Sequence, residues 1–343
     1  MTFNNFVDIK SLPLIFTERS LAKNIWEEVL VNSNYIPVNY THEYIDYQIE
    51  YFSFNNSSIE DLSVIIFYEN KPCSVWPISI TNNDNILLTS HGLNIQPPLF
   101  IFNLPENLKT KIIDICILII IKICNQYNLN YWVASDLNLF NTKISTWHLK
   151  SLNYKCIYEL NHELFVDLNL SLEKIKNSFR KSYKSLINQG LKMWDVNVLD
   201  KHNLEIWEEF KLLHATVAGR ITRSDKSWHM QHSDIENGKA FLVYLTKNKK
   251  MVGGGLFYYT KDEALYCVGV YNRHLFDYPL GHVVQYKAIE YLILKQVKKY
   301  KIGNFMKESD TPTPTCKEIT ISNFKKGFAT DIYINTKITF LLN

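Results

Sequence analysis

Apolar positions in the first half of the chain recur at helical steps in some stretches and crowd together in others. Between Ser20 and Asn32, Leu21, Ile25, Trp26, Val29 and Leu30 fall on one side of a helix. A second helix is predicted over Tyr40 to Phe52. Leu62 to Tyr68, then Glu69-Asn70-Lys71, then Pro72 to Ile80 read as a hairpin with bulky residues on both faces. Pro77, which has no N–H for a ladder, puts part of the second strand at an edge. Pro97-Pro98 ends a strand or loop, Pro105-Glu106 opens a long helix reaching Tyr127, and Asn130 to Ala134 is a short strand. The most apolar run, Ile115 to Ile121, lies between Asp114 and Lys122. It is far short of the roughly 20 residues that cross a bilayer, so it reads as a buried helix.

From Asn161 the pattern starts again. His162 to Leu168 is a strand, Ser171 opens a helix, and from Lys176 to Lys192 the basic residues Lys176, Arg180, Lys181, Lys184 and Lys192 occur with no acidic one. Such a run is either a solvated helix face or a binder of phosphates. A helix over Leu204 to Val217, an irregular segment from Ala218 to Asp234 and a strand over Ala240 to Thr246 follow. Val252 to Tyr259 and Ala264 to Tyr271, rich in aromatic and branched residues and separated by Lys261-Asp262-Glu263, form a second hairpin. It feeds a helix that opens near Gly281 and runs to 299. Asn304 to Glu318 is a loop with Pro312 and Pro314, and Ile319 to Leu342 a terminal segment. A strand that ends where a helix begins leaves backbone N–H groups aimed into one small space, which suits an anion or a developing oxyanion. Tyr266 and Tyr271 lie five apart on the strand, so alternation sends them to opposite faces; Tyr271, nearer the strand end, is the one to face a cleft as donor or acid.

Length and composition narrow the class without naming it. With 343 residues, two domains are expected, and 46% hydrophobic with 14% aromatic residues argues against disorder. A net charge of +3 does not by itself imply a nucleic-acid binder, and DNA is not expected as a partner. Six cysteines without a CxxC pair read as reduced core residues, and no metal-ligand spacing stands out. The start, MTFNNFVDIKSLPLIF, lacks a basic segment followed by a long apolar run, so the expected location is cytoplasmic.

Four stretches in order carry a resemblance: His214-Ala215-Thr216-Val217-Ala218-Gly219-Arg220-Ile221-Thr222-Arg223, the hairpin with Gly253-Gly254-Gly255, Tyr271-Asn272-Arg273 with Pro279-Leu280-Gly281-His282, and Ile321-Ser322-Asn323-Phe324-Lys325-Lys326-Gly327-Phe328. Together with Asp167-Leu168 through Phe179-Arg180-Lys181-Ser182, they resemble the FemAB-like branch of the GNAT acyltransferase superfamily. The match covers about residues 160 to 330, and the first half only by element order. The resemblance implies an α/β (α+β) chain of tandem GNAT-like domains, over 1–155 and 160–330, each a mixed, mostly antiparallel sheet flanked by helices. Residues 331–343 would be a tail packing on the first domain, and the second domain would carry the active site. It further implies transfer of an acyl or aminoacyl group to an amine. The acceptor would be an amino sugar or cell-envelope glycan precursor, and the co-substrate acyl-CoA or aminoacyl-tRNA, with no permanently bound cofactor. A tRNA-dependent peptidoglycan-type ligase is one alternative, and a catalytically silent glycan- or protein-binding scaffold another. The chain departs from the acyl-CoA pattern R/Q-x-x-G-x-G/A, because setting Gly281 as either glycine puts Phe276 or Tyr278 where the basic or amide residue belongs. Nor do sustained heptads occur between the domains.

Residue roles follow partly from chemistry and partly from the resemblance. Phe324-Lys325 matches the aromatic-lysine pair near the reaction centre of Fem-type ligases, which makes Lys325 catalytic and Phe324 substrate-binding; a solvated Lys325-Lys326 pair at a strand start is the plainer reading. Arg220 and Arg223, in a segment with Trp228, offer two guanidinium forks for a phosphate or carboxylate, unless they pair with Asp225 and Asp234. Arg273 is a third candidate of this kind. His282 and Gln285, three apart, share a helix face, with His282 a proton acceptor or else a cap or buried hydrogen-bonding group. Gly281, Arg180 and Lys184 are the candidates for holding the donor, and His214, Glu308 and Asp310 the weaker candidates for proton transfer.

Overall fold

Two bodies account for the chain in the computed structural model, which describes residues 13–55, 57–137, 139 and 144–342. The described parts of Met1–Asn161 and Ile334–Asn343 form one, and His162–Tyr333 the other. The opening residues, in which no leader pattern was seen, lie mostly outside the described residues. No helix among those described is long and apolar enough to cross a membrane.

In the first body β1 (Leu14–Glu18) leads through a 3-10 turn into α1 (Lys23–Val31), and α2 (His42–Phe54) follows, its first turn capped by the Thr41 hydroxyl, which accepts from the Tyr44 N–H. α1 buries Trp26, Val29 and Leu30, but Leu21 sits in the preceding turn, 77% exposed, and is not on the stripe as its spacing suggested. β2 (Ser58–Asp61), β3 (Val64–Tyr68) and β4 (Lys71–Trp76) come next, then β5 (Ser79–Asn83), β6 (Asn85–Thr89) and β7 (Leu99–Phe100). The strand expected over Pro72 to Ile80 is divided at Pro77: β4 joins a sheet of order β1-β3-β4-β7, and β5 one of order β2-β5-β6. Without an N–H at Pro77 the ladder cannot run on, and the chain uses that break to change sheets. α3 (Glu106–Gln126) buries Ile112, Ile113, Ile115, Ile117, Ile119 and Ile120 in the main core. β8 (Tyr131–Leu137), followed by α4 (Thr146–Ser151), pairs antiparallel with the final residues of the chain, Leu137 opposite Asn335 and Tyr131 opposite Leu341. There Trp132 stacks on Phe340 with ring centroids 3.7 Å apart.

β9 (Cys156–Asp167) enters the second body, where α5 (Leu172–Ser178) and α6 (Lys181–Met193) follow. The basic run is thus two helices, parted at Arg180 and at Phe179, whose backbone is extended. β10 (Asp195–Leu199), α7 (Leu204–Ala218) and α8 (Asp225–Glu236) come next. The segment expected to be irregular up to Asp234 is therefore mostly α8, whose start is fixed by the Ser224 hydroxyl accepting from the Ser227 N–H. β11 (Ala240–Lys247), β12 (Lys250–Tyr259) and β13 (Glu263–Tyr271) form a meander. α9 (Leu280–Leu294) opens where expected but stops short of 299, and β14 (Lys299–Phe305) occupies residues that helical spacing alone had not separated. α10 (Cys316–Lys326) replaces the end of the expected loop; Thr315 and Glu318 make a capping box at its start. β15 (Asp331–Leu341) closes the chain.

The sheet of this body runs β10-β11-β12-β13-β14-β9, antiparallel throughout except for the parallel pair β13–β14. α9 is apolar nearly all round and buries Val283, Val284, Ala288, Ile289 and Leu292 against the sheet. Its burial makes the position of its first turn rigid, which matters for what lies there. The expected α/β architecture of mixed, mostly antiparallel sheets flanked by helices is what the chain adopts.

Candidate active site

A gap opens where the two parallel strands part. β13 pairs with β14 only over Glu263–Leu265 against Lys299–Lys301; beyond that β13 stays with β12 as far as Tyr271, while β14 stays with β9 as far as Phe305. Their carboxyl ends therefore diverge. In open α/β sheets such ends are where ligands gather, because strand ladders stop and helix starts point inward.

A bulge decides which side chains face this region. Leu256 pairs with Val268 and Phe257 with Tyr266, so Cys267 has no opposite residue. One unpaired residue reverses the alternation, and Tyr266 and Tyr271 come to the same side, their hydroxyls 3.1 Å apart. This corrects the expectation that they face opposite ways. Gly269 makes the approach possible, since a Cβ there would lie 1.8 Å from the Tyr266 hydroxyl. Burial pushes the Tyr266 phenol up to about 12, against the opposing influence of Tyr271 and Gln285, and burial, with Tyr266 beside it, also raises Tyr271 well above its ordinary value. Both are neutral proton donors at physiological pH.

Lys325, in the last turn of α10, reaches the same side and is not at a strand start. Its Nζ lies 5.5 Å from the Tyr266 ring centroid. It fits there because Gly303, at φ +144°, has no side chain; a Cβ would sit 2.5 Å from that Nζ. Burial draws the Lys325 ammonium below its ordinary value, opposed by the Cys267 thiol, and no ion pair among the described residues compensates it. Gln285, fully buried on α9, accepts from the Tyr300 hydroxyl at 2.5 Å, while its Nε2 has no hydrogen-bond partner.

The mouth of α9 adjoins this group. A Cβ on Gly281 would meet Phe324 at 3.1 Å and Tyr271 at 3.7 Å, and no side chain caps the helix start. His282 packs edge-on against Tyr183 and Phe324, at 4.6 and 5.0 Å between centroids. Burial first, and Arg180 second, lower His282 to about 4, so its ring is neutral near pH 7. Arg180 itself donates to the Asn323 carbonyl at 3.0 Å. Tyr271, Gly281, His282, Gln285, Phe324, Lys325 and, at the rim, Arg180 thus form one neighbourhood.

The remaining candidates have other partners or face solvent. Trp228 is 5% exposed, edge-on to Trp207 and Phe210, with the Arg223 guanidinium 4.5 Å from its ring centroid. It is a packing residue that backs Arg223, not a surface for substrate. Arg223 is buried as well, donating to Gln231 at 2.9 Å and lying 3.4 Å from His214 Nε2; its charge still reaches Cys267. Arg220 and Arg273 are exposed. Asp225 pairs with Lys211 at 2.8 Å, and Asp234 accepts from the Tyr258 hydroxyl at 2.6 Å. Asp310 accepts from the Lys307 N–H, closing a turn, and Glu308 is exposed. Lys184 bonds Asn177 at 2.8 Å beside a separate cavity of about 430 Å³ lined by Leu172, Glu173, Lys176, Asn177, Lys184 and Tyr286. Sequence reading missed Tyr300 and Gly303, and placed Tyr266 on the wrong face. A glycine inside a strand was the available signal for Gly303, since it marks a close approach or a bulge.

A parallel pair splayed in an otherwise antiparallel sheet, with α9 opening beside the gap, is a GNAT-like arrangement. No protein-family model matches the sequence, and no curated protein matches it. Among solved structures the chain is similar to FemX, at 11% identity and a TM-score of 0.64 over 96% of this chain and 97% of that one. It is also similar to a C-terminal domain of a putative lysylphosphatidylglycerol synthetase from Agrobacterium fabrum, with 10% identity and a TM-score of 0.59 over 94% and 90% of the two chains. A third, L-PGS from Bacillus licheniformis, has 10% identity and a TM-score of 0.53 over 92% and 90%. At such identities the likeness establishes the fold.

Proposed function

We propose that the second body transfers an acyl or aminoacyl group to an amine, with the reaction centre at the parting of β13 and β14. The observation that carries this reading is the meeting of an uncompensated lysine ammonium with two neutral phenols beside the uncapped start of α9. The acceptor amine attacks the donor carbonyl directly. Lys325 and the first N–H groups of α9 stabilise the oxyanion, which gains most where water is excluded. As the intermediate collapses, the new C–N bond remains, the C–O or C–S bond to the leaving group breaks, and Tyr271 gives that group a proton. The amine loses one proton in turn, and Tyr266 relays it to Tyr271 through their hydrogen bond.

The acceptor in this reading is an amino sugar or other amine-bearing envelope precursor, for which the fold shared with FemX is the support. An aminoacyl ester as donor is supported by the synthetase likeness and by the aromatic residues Phe276 and Tyr278 where a CoA loop would place a basic or amide residue. The test is product formation from amine acceptors with aminoacyl-tRNA and with acetyl-CoA in parallel. Turnover with either donor that falls about 100-fold or more in Lys325→Met and Tyr271→Phe supports the assignment. Unchanged turnover in both variants removes it.

A further inference from the structure

α8 carries His232 and Glu236 one turn apart, and both face the segment leading into α7. From that segment His202, beside the Asn203 that caps α7, turns its Nδ1 onto Glu236 Oε1 in a short hydrogen bond. The same carboxylate oxygen lies 3.3 Å from His232 Nδ1. The two imidazole centroids are 5.0 Å apart, and one donor atom from each of the three residues lies within 4.8 Å of the others. We propose that His202, His232 and Glu236 bind one divalent transition-metal ion of the zinc class.

The chemistry of the set selects the ion. Two imidazoles and a carboxylate are the ligands of Zn2+ and its neighbours, whereas Mg2+ and Ca2+ prefer all-oxygen shells. In the metal-free arrangement two ring nitrogens converge on one carboxylate oxygen. An ion about 2.0–2.2 Å from each donor would take that place with small side-chain shifts. Packing holds His232 ready to ligate. It is 4% exposed and stacked on Trp207 at 5.6 Å between centroids, which fixes the ring with Nδ1 turned toward Glu236. His202, with its side chain 68% exposed, gives the ion a way in and leaves room for water as a fourth ligand. The bound ion would clamp the start of α7 to the end of α8, independently of the reaction proposed above.

The test uses the untagged full chain, stripped with chelator and dialysed against micromolar Zn2+. Metal analysis is expected to find one equivalent per chain, with the melting temperature raised by several degrees and a tetrahedral absorption band when Co2+ replaces zinc. His202→Ala and Glu236→Gln, both at exposed positions, should each weaken zinc binding at least about 100-fold while leaving the metal-free melting temperature within a degree or two of the parent. Less than half an equivalent bound by the parent chain, or equal uptake by both variants, overturns the proposal.

Discussion

Arg19 in the first body and Lys325 in the second are cations drawn away from water, and their surroundings treat them in opposite ways. Arg19, 3% exposed in the first body, lies 2.7 Å from both Asp46 and Asp61, and its remaining nitrogen meets His42 at 3.0 Å. His91 adds a contact to Asp61 at 3.0 Å. Lys325 in the second body is half-buried over an aromatic ring and has no ion pair among the described residues. A buried charge with its acids present fixes a fold, because every partner loses when one leaves. A buried charge without acids keeps its interaction in reserve for something that arrives later.

The sharpest way to break this contrast is to delete both cations. Arg19→Met leaves Asp46, Asp61 and His91 facing one another without the guanidinium, so denaturant unfolding of the first body should show a loss of about 3–5 kcal/mol. Lys325→Met removes a charge that burial disfavours and keeps the packing volume, so unfolding of the second body should be unchanged or slightly harder. Its cost is expected in turnover, on the order of 100- to 1000-fold, equivalent to about 2.7–4 kcal/mol in the barrier. Equal destabilisation by the two substitutions would mean that Lys325 is a structural residue like Arg19.

A substitution that adds one carbon tests the geometry behind Lys325. In Gly269→Ala the new Cβ would fall 1.8 Å from the Tyr266 hydroxyl, so the ring must move off Tyr271. Overpacking of this kind costs about 1–3 kcal/mol. Turnover should fall as the phenol pair separates, and the added substitution Tyr266→Phe, which removes the nearest clashing atom but leaves the ring Cζ 2.8 Å from the new Cβ, should recover part of the stability but not turnover. Recovery of both would show that the hydroxyl pair has no part in proton transfer.

The sequence already carried much of this arrangement. The aromatic hairpin, the helix opening at Gly281 and the near-terminal Phe324-Lys325 are local signals, and all three meet in the second body. What could not be read was parity. Alternation along Ala264 to Tyr271 holds only while the ladder is regular, and nothing in the residues announces that Cys267 will be left unpaired. Burial was equally hidden at Arg223 and Trp228: their segment looks polar and irregular, and only the packing of α8 on Trp207 and Phe210 turns it inward. The expected pairing of Asp225 missed Lys211, which lies across on α7. Likewise His202 is too far along the chain from His232 and Glu236 for any spacing rule to join them.

Acid should separate the two bodies in a milder way. In the second, burial holds both His214 and His282 at about 4, with Arg223 and Arg180 respectively adding to the effect. Because an unfolded histidine titrates near 6.5, the unfolded chain binds more protons between about pH 6.5 and 4, and stability falls as pH drops through that window. In the first body burial pushes the Asp61 carboxyl up, but the hydrogen bond and charge of His91 and the charge of Arg19 outweigh it and hold it far below its ordinary value. Its contribution is present above the unfolded carboxylate range and is lost only as pH falls below about 4. His42, lowered by burial, adds a smaller histidine term to that body. Hydrogen exchange followed on β12 and β3 should therefore show the second body loosening first as pH is lowered. His282→Gln, which stays neutral throughout, should flatten that slope by roughly 1 kcal/mol once solvent screening of a half-buried ring is allowed for. A parent chain in which β3 loosens before β12 would mean that the buried acids of the first body, and not the histidines of the second, set its acid limit.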